Sequence, residues 1–345
     1  MFIKQVDRTA VLAWSPTFQQ QPFIATGTVS GAMDASFSSN SELELFNVSL
    51  QERNTTGSQV TSVPVSARFN RLSWSPHGTS IIAGGLEDGT VILWDANKLI
   101  NNQADSALID SKSIYGGPVR GLQFSPHTPF LLAIGSIDAQ LSLMDMNDPS
   151  KVYMPGPTKS QRLEDVTDLA WNPKVGHILA ASSSNGMTVV WDLRAKKEAL
   201  QFAASGGSGG RGPISSIAWN PDSPNQIVCA SEDNAQPLIY SWDLRNAHSP
   251  EKSLNGHTKG VLSVAWCPKD SDLLLSTGKD NRTIFWNPKT SEILGELPAK
   301  DNWVFDVQWC PKNPDLLSIA GFDGKIELYS YQSLSSSLTG AKAKP

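Results

Sequence analysis

Residues 256–288 read GHTKGVLSVAWCPKDSDLLLSTGKDNRTIFWNP, and three features of this stretch recur along the chain. Trp266 is followed by one residue and then by Pro268. Trp286 stands twenty residues after Trp266, at the end of an apolar run, and Asp280 stands six residues before Trp286. Recurrence at a period of this size is typical of repeat architectures, so the copies of this stretch predict how the chain folds.

The first marker, an aromatic residue followed by one residue and a proline, occurs seven times, at spacings of 60, 50, 47, 48, 47 and 43 residues. The seven aromatic residues are Trp14, Trp74, Phe124, Trp171, Trp219, Trp266 and Trp309. The second marker follows after 20 residues in five repeats, and after 32 and 23 residues in the first and fifth. Its residues are Phe46, Trp94, Met144, Trp191, Trp242, Trp286 and Tyr329. Most of the chain's 11 tryptophans therefore belong to one repeated pattern.

Each repeat contains short runs of strand-forming residues separated by turn-forming ones, without a sustained helical period. The proline after the aromatic residue ends a strand, and the Asp or Asn before the second marker suits a tight turn. Four strands per unit at this period indicate an all-β fold, a seven-bladed WD-repeat β-propeller. We expect residues 1–332 to form it and 333–345 to be a flexible Ser- and Lys-containing tail, the start of a linker to C-terminal regions. The extra segment Phe2–Val6 is expected to close the ring as the outer strand of blade seven.

Composition excludes several functional classes. The net charge is −5 and no long Lys/Arg run is present, which argues against nucleic acid as a partner. No apolar run approaches the ~20 residues of a membrane span, and the first ten residues lack the pattern of a signal peptide. Three scattered cysteines do not make a disulfide framework, which fits a reducing cytosol.

Blade six alone carries a Gly-His pair, and His257, Ser276, Asp280 and Trp286 follow the spacing of a buried hydrogen-bond network known in WD-repeat proteins. A hydrolase is the other interpretation of His, Ser and Asp, but Ser276 is mid-strand and lacks a G-x-S-x-G elbow. The run GSGGRG at 207–212 precedes a strand rather than a helix, which argues against a dinucleotide site. Cys267 and Cys310 have no partners at metal-ligand spacing. We therefore expect no catalytic residue, cofactor or metal.

Two features are candidates for binding protein partners. The repeat pattern is interrupted at residues 30–41, 155–165, 205–212 and 234–237, and binding commonly resides on loops held by a rigid scaffold, although neutral variation is an equal alternative. Candidate contacts in the first insertion are Met33, Asp34 and Phe37. The sequence WDLR occurs at 191–194 and 242–245, and in some WD-repeat proteins this box contacts the adaptor of a cullin-type ubiquitin ligase. Arg194 and Arg245 would make that contact.

Specific stretches of residues 2–332 resemble the N-terminal propeller of the larger outer-coat subunit of the COPII vesicle coat. They include RTAVLAWSP at 8–16, TGTVSG at 26–31, the run quoted above, and NWVFDVQWCPKNPDLLSIAGFDGKIELYS at 302–330. The resemblance implies a non-enzymatic cytoplasmic scaffold, peripheral on endoplasmic reticulum exit sites and on vesicles bound for the Golgi. It also implies other copies of the chain as partners at cage vertices. The smaller propeller subunit and the inner coat would be bound through regions absent from this chain.

Overall fold

The computed structural model describes residues 1–29, 40–49, 55–156, 159–204 and 211–332. These residues form seven antiparallel four-stranded sheets, numbered as blades in chain order. Blades one to four contain β2 (Ala10–Trp14), β3 (Phe23–Thr28), β4 (Ser41–Asn47) and β5 (Ser58–Val65); β6 (Phe69–Trp74), β7 (Ile81–Leu86), β8 (Thr90–Asp95) and β9 (Leu108–Ser113); β10 (Gly121–Phe124), β11 (Leu131–Gly135), β12 (Leu141–Asp145) and β13 (Asp148–Tyr153); β14 (Val166–Trp171), β15 (Ile178–Ser183), β16 (Thr188–Asp192) and β17 (Lys197–Phe202).

The last three blades complete the seven-bladed propeller. They contain β18 (Ile214–Trp219), β19 (Gln226–Ser231), β20 (Ile239–Asp243) and β21 (Lys252–Leu254); β22 (Val261–Trp266), β23 (Leu274–Gly278), β24 (Thr283–Asn287) and β25 (Glu292–Glu296); β26 (Val304–Trp309), β27 (Leu316–Gly321), β28 (Ile326–Ser330) and β1 (Phe2–Val6). One short helix, α1 (Ala96–Ile100), and two single turns of 3₁₀ helix, Ala104–Ser106 and Leu244–Asn246, lie between strands of the described residues. No helix within those ranges is both long and apolar enough to cross a membrane.

The two aromatic markers take fixed places in the blades. Every first-marker residue is the last residue of a first strand, and every second-marker residue is the last but one of a third strand. All fourteen are buried. Because first strands of neighbouring blades pack side by side around the ring, these side chains fill the spaces between blades. Each of seven apolar clusters accordingly joins two adjacent blades.

The Asp or Asn before the second marker shapes the turn from the second strand to the third. Asp88 Oδ1 accepts a hydrogen bond from the backbone N–H of Thr90 at 3.0 Å, and Asn185 Oδ1 accepts one from Met187 at 3.1 Å. The intervening Gly89 and Gly186 have φ of 85° and 79°, which residues with a Cβ rarely adopt. The Asp-Gly and Asn-Gly pairs thus set the turn that starts the third strand.

The ring closes through the first strand of the chain, as the sequence predicted. β1 pairs antiparallel with β28, with Phe2 opposite Tyr329 and Val6 opposite Ile326. The amino terminus of Met1 also donates to the carbonyl oxygen of Ser330 at 2.8 Å. Blade seven is therefore built from both ends of the described chain, so the two ends hold the ring together. The predicted tail at 333–345 lies outside the described residues.

Candidate functional site

A buried polar network spans blade six. Trp286 Nε1 donates to Ser276 Oγ at 2.7 Å, and Ser276 Oγ lies 2.7 Å from His257 Nε2. His257 Nδ1 lies 3.0 Å from both carboxylate oxygens of Asp280, and the backbone N–H of Thr258 donates to the same carboxylate at 2.9 Å. The structure thus brings together all four residues that the sequence singled out.

The hydrogen bonds assign the proton positions in this network. Because Ser276 accepts from Trp286, its single hydroxyl proton is directed to His257 Nε2, and the imidazole carries its own proton on Nδ1, facing Asp280. Burial acts to raise the pKa of Asp280, but the bonds from His257 and from backbone N–H groups outweigh it and lower that pKa. Ser276 is fully buried with its hydroxyl engaged on both sides, so the arrangement stabilises the blade and presents no accessible nucleophile.

The two WDLR boxes lie at the turns between third and fourth strands in blades four and five. Strands alternate in direction, so these turns lie on the face opposite the loops that connect blades. Asp192 Oδ1 accepts from the backbone N–H of Arg194 at 3.0 Å, and Asp243 Oδ1 accepts from that of Arg245 at 3.0 Å. The exposed Arg245 guanidinium also binds the Asp243 carboxylate of its own box. Each box therefore forms its own turn; of the two arginines, Arg245 pairs with Asp243, and Arg194 forms no ion pair within the described ranges.

The predicted insertions fall between second and third strands or between blades. Met33, Asp34 and Phe37 lie outside the described residues, as do 205–210. The insertion at 234–237 is described: Asp233 Oδ1 accepts from the backbone N–H of Ala235 at 2.8 Å. Asn234 Oδ1 accepts from the N–H of Gly260 at 3.0 Å, which ties this loop to blade six.

A charged cluster on the ring axis was missed by the sequence reasoning. Arg71 of blade two donates to the carbonyl oxygen of Thr167 in blade four at 3.2 Å, which requires crossing the central channel. The Arg71 charge also acts on Asp168 of blade four and Asp306 of blade seven. The available signal was a charged residue at the same place in three first strands, three residues before the first-marker tryptophan.

Burial governs the titration of this cluster. It raises the pKa of Asp306 to about 6; the Arg71 charge opposes that shift, and Asp168 adds to it. Burial also raises the pKa of Asp168, against the Arg71 charge and a 2.9 Å hydrogen bond from the N–H of Ile217. The single positive charge of Arg71 therefore acts on both carboxylates, and it does not offset the effect of burial on either pKa.

No group of three or more His, Cys, Asp or Glu side chains within the described ranges is arranged to hold a metal ion. The three cysteines, Cys229, Cys267 and Cys310, are free and buried. Burial raises the pKa of each thiol, to about 12 for Cys229. They behave as small apolar core residues.

Two family models match parts of this chain, and individual relatives match nearly all of it. The model for "WD domain, G-beta repeat" matches residues 55–95 and 248–287. The model for "Anaphase-promoting complex subunit 4 WD40 domain" matches residues 122–222. "Protein transport protein SEC31" of Mycosarcoma maydis is 46% identical across 98% of this chain. The Aspergillus oryzae protein with the corresponding description is 43% identical across 99%. The chain spans 26% and 27% of the length of these two relatives.

Solved structures give the same result. A chain of "COPII on membranes, outer coat vertex" superposes with a TM-score of 0.85 at 36% identity, covering 94% of this chain and 85% of that one. A chain of "The structure of the COPII coat assembled on membranes" superposes with the same score and identity, with 47% of that chain covered. With seven blades, the closing strand and these identities in agreement, the chain belongs to the Sec31 family of WD-repeat propeller proteins.

Proposed function

We propose that this propeller is a scaffold module of the COPII outer coat, which builds vesicles that carry protein from the endoplasmic reticulum to the Golgi. The observation that carries the proposal is the superposition on 85% of a chain solved within an outer coat vertex, at 36% identity. The relatives are described as protein transport proteins, in keeping with a structural rather than a catalytic role.

The described structure suits a scaffold. Seven interblade clusters and a ring closed by both chain ends make a rigid body with two broad faces. The one His-Ser-Asp constellation is buried and fully engaged in hydrogen bonds. We infer that residues 1–332 act as one unit whose surfaces meet other copies at cage vertices through several modest contacts. Because several such contacts act together, an assembled coat is held strongly, whereas each contact alone is weak and reversible.

In this proposal the protein is cytoplasmic and associates peripherally with exit sites and vesicles. Contacts with the smaller propeller subunit and the inner coat would belong to parts of the longer relatives outside this chain. The proposed scaffold acts through protein contacts alone, without a catalytic step, a cofactor or a nucleic acid.

The decisive experiment removes residues 1–332 from the full-length protein and follows cage assembly with the other coat subunits by electron microscopy. We expect the edges of the cage to form and the vertices to fail. Cages that close normally without this propeller would overturn the proposal.

A finer experiment replaces residues 30–41 with a short Gly/Ser turn in the full-length protein. We expect intact folding and weaker assembly, since this insertion carries Met33 and Phe37. The matched control, Arg194→Ala with Arg245→Ala on the opposite face, should assemble normally. Normal assembly of the loop variant would exclude the loop as a vertex contact. Recovery of the cullin ligase adaptor by the unmodified protein, and its loss in the Arg variant, would instead support the alternative function of a ligase substrate receptor.

A further inference from the structure

The chain contains two Asn-Gly pairs, Asn185-Gly186 in blade four and Asn255-Gly256 between blades five and six. An asparagine that precedes a glycine is open to deamidation, because glycine has no Cβ to hinder its backbone nitrogen. In that reaction the glycine nitrogen attacks the side-chain carbonyl carbon of the asparagine. The reaction therefore needs a side chain that is free to turn and a backbone N–H that is free to react.

The Asn185-Gly186 pair is held by three hydrogen bonds. Asn185 Oδ1 accepts from the backbone N–H of Met187 at 3.1 Å, and Asn185 Nδ2 donates to the carbonyl oxygen of Arg162 at 2.9 Å. The N–H of Gly186 donates to the carbonyl oxygen of Ser183 at 3.1 Å. Both ends of the amide and the nitrogen that would attack it are engaged, so the fold protects this pair.

The Asn255-Gly256 pair has no such bonds. It follows β21, the outer strand of blade five, whose pairing with β20 ends with Leu254 opposite Ile239. Asn255 is exposed and lies outside the strands. Within the ranges that the structure describes, the Asn255 amide and the Gly256 N–H form no hydrogen bond. This pair therefore meets both requirements of the reaction.

Gly256 leads directly into the polar network of blade six. A Cβ on this residue would lie 2.7 Å from the Trp286 ring and 2.8 Å from Ile293 Cδ1, so the main chain itself packs on both side chains. The Gly256 carbonyl oxygen accepts a hydrogen bond from the Arg282 guanidinium. The next residue is His257, whose imidazole belongs to the buried network. A change in the main chain at this point would act on the network.

We propose that Asn255 is a site of spontaneous deamidation in the folded protein, and that the fold protects Asn185 from the same reaction. The Gly256 nitrogen bonds to Asn255 Cγ and gives up its proton, and the side-chain nitrogen leaves as ammonia, which closes a five-membered succinimide. One water molecule then opens either carbonyl of the ring and gives aspartate or isoaspartate. Water is the only other reactant.

The isoaspartate product changes blade six. In it the main chain runs through the side chain of residue 255, which adds one methylene group before Gly256. Because Gly256 packs closely on Trp286, the added length displaces it and loosens the attached His257. The modification would therefore lower the stability of blade six as the protein ages. It is independent of the proposed scaffold function, since it needs no other coat subunit.

The test incubates the purified chain at mildly alkaline pH, below its melting temperature, and follows tryptic peptides by mass spectrometry against an unincubated sample. Trypsin releases the two pairs in separate peptides, residues 175–194 and 253–259. We expect 253–259 to gain about 1 Da, as an amide becomes a carboxylate. It should react at least about ten-fold faster than 175–194, where hydrogen bonds must break first. No mass gain at 253–259, or equal rates for the two peptides, would overturn the proposal.

The same measurement on the chain unfolded in urea separates the fold from the local sequence. Unfolding removes the bonds that protect Asn185, so the two rates should come together. A difference that persists in urea would assign it to the neighbouring residues and overturn the role of the fold.

The effect on blade six is tested on the product. Anion exchange separates it, since deamidation adds one negative charge to the net charge of −5. We expect a protein isoaspartate methyltransferase to label the product, and its melting temperature to lie at least about 2 °C below that of the unreacted chain. An unlabelled product, or one that melts with the unreacted chain, would overturn the proposed displacement of Gly256.

Two variants serve as matched controls. Asn255→Asp carries the charge of the product on an ordinary main chain, so it should melt as the unmodified chain does. Asn255→Gln keeps the amide but would have to close a less favourable six-membered ring, so its peptide should gain no mass. A melting temperature of Asn255→Asp as low as that of the product would assign the effect to charge and overturn the role of the lengthened main chain.

Discussion

Trp286 in blade six and Trp191 in blade four occupy the same place in the same strand, yet their polar surroundings are opposite. Both rings pack against a glycine and both are buried, at 0% and 3% exposure. Trp286 donates to Ser276 in a four-residue network, whereas the N–H of Trp191 has no partner in the described structure. The comparison shows that aromatic packing alone suffices to form a blade, and that the polar network is a separable addition.

The largest expected effect comes from truncating either ring. Trp191→Ala and Trp286→Ala should each lower the free energy of unfolding by about 3–5 kcal/mol, because each leaves a cavity in the core. Trp286→Ala should be the more damaging, since it also removes a donor from Ser276. Urea denaturation of the purified variants, against a typical total of roughly 5–15 kcal/mol, measures both. Equal losses would mean that the network adds nothing to the packing, and near-normal stability would refute the core assignment.

An effect of intermediate size concerns the pH dependence of stability, in which two carboxylates differ. Asp280 is held by several hydrogen bonds, whereas Asp306 is buried near a second carboxylate, Asp168. Asp280 has a lowered pKa, so its stabilising contribution is present above its unfolded pKa and is lost as the pH falls through the folded value. Asp306 has a pKa raised to about 6 by burial, so the folded state binds its proton more tightly than the unfolded chain does. Its contribution to stability therefore decreases as the pH rises from about 4 to 6 and stays low above that.

Asp306→Asn should remove this penalty. The amide oxygen can still accept from Gln308 Nε2, which lies 3.1 Å from the present carboxylate, and the charge beside Asp168 is gone. We expect the variant to gain about 1–2 kcal/mol relative to the unmodified chain at pH 7, and much less at pH 4.5. Thermal unfolding at the two pH values measures the difference. A gain that is the same at both would show that the Asp306 carboxyl does not titrate in this range.

The sequence predicted the parts of this molecule that repeat. Trp74 and Trp94 predicted the ends of β6 and β8 because the spacing of the markers fixes the strands, and Phe2–Val6 was the segment left over to pair with β28. The cluster of Arg71, Asp168 and Asp306 was not predictable in this way. Each residue stands three positions before a first-marker tryptophan, so the repeat places all three at one level of the ring, but their meeting across the axis depends on ring closure, which the spacing within one repeat does not encode.

The unpartnered indole N–H of Trp191 was missed for a different reason. Blade four has Ala181 where blade six has Ser276, and a missing side chain leaves no motif to find. The signal becomes visible only when the strand registers of two blades are compared residue by residue.

The smallest expected effect comes from giving blade four the serine of blade six, and the reciprocal change removes it from blade six. Ala181→Ser places a hydroxyl where Ser276 stands in blade six, so Trp191 Nε1 would gain the acceptor that Trp286 has. We expect a gain of about 1 kcal/mol in the free energy of unfolding, the net value of one buried hydrogen bond. The reciprocal change, Ser276→Ala, leaves the Trp286 N–H and His257 Nε2 without partners and should cost about 1–3 kcal/mol. Urea denaturation measures both. If Ala181→Ser destabilises the chain as Ser276→Ala does, the Trp191 indole does not face position 181 as Trp286 faces Ser276, and the correspondence between the two blades fails at that point.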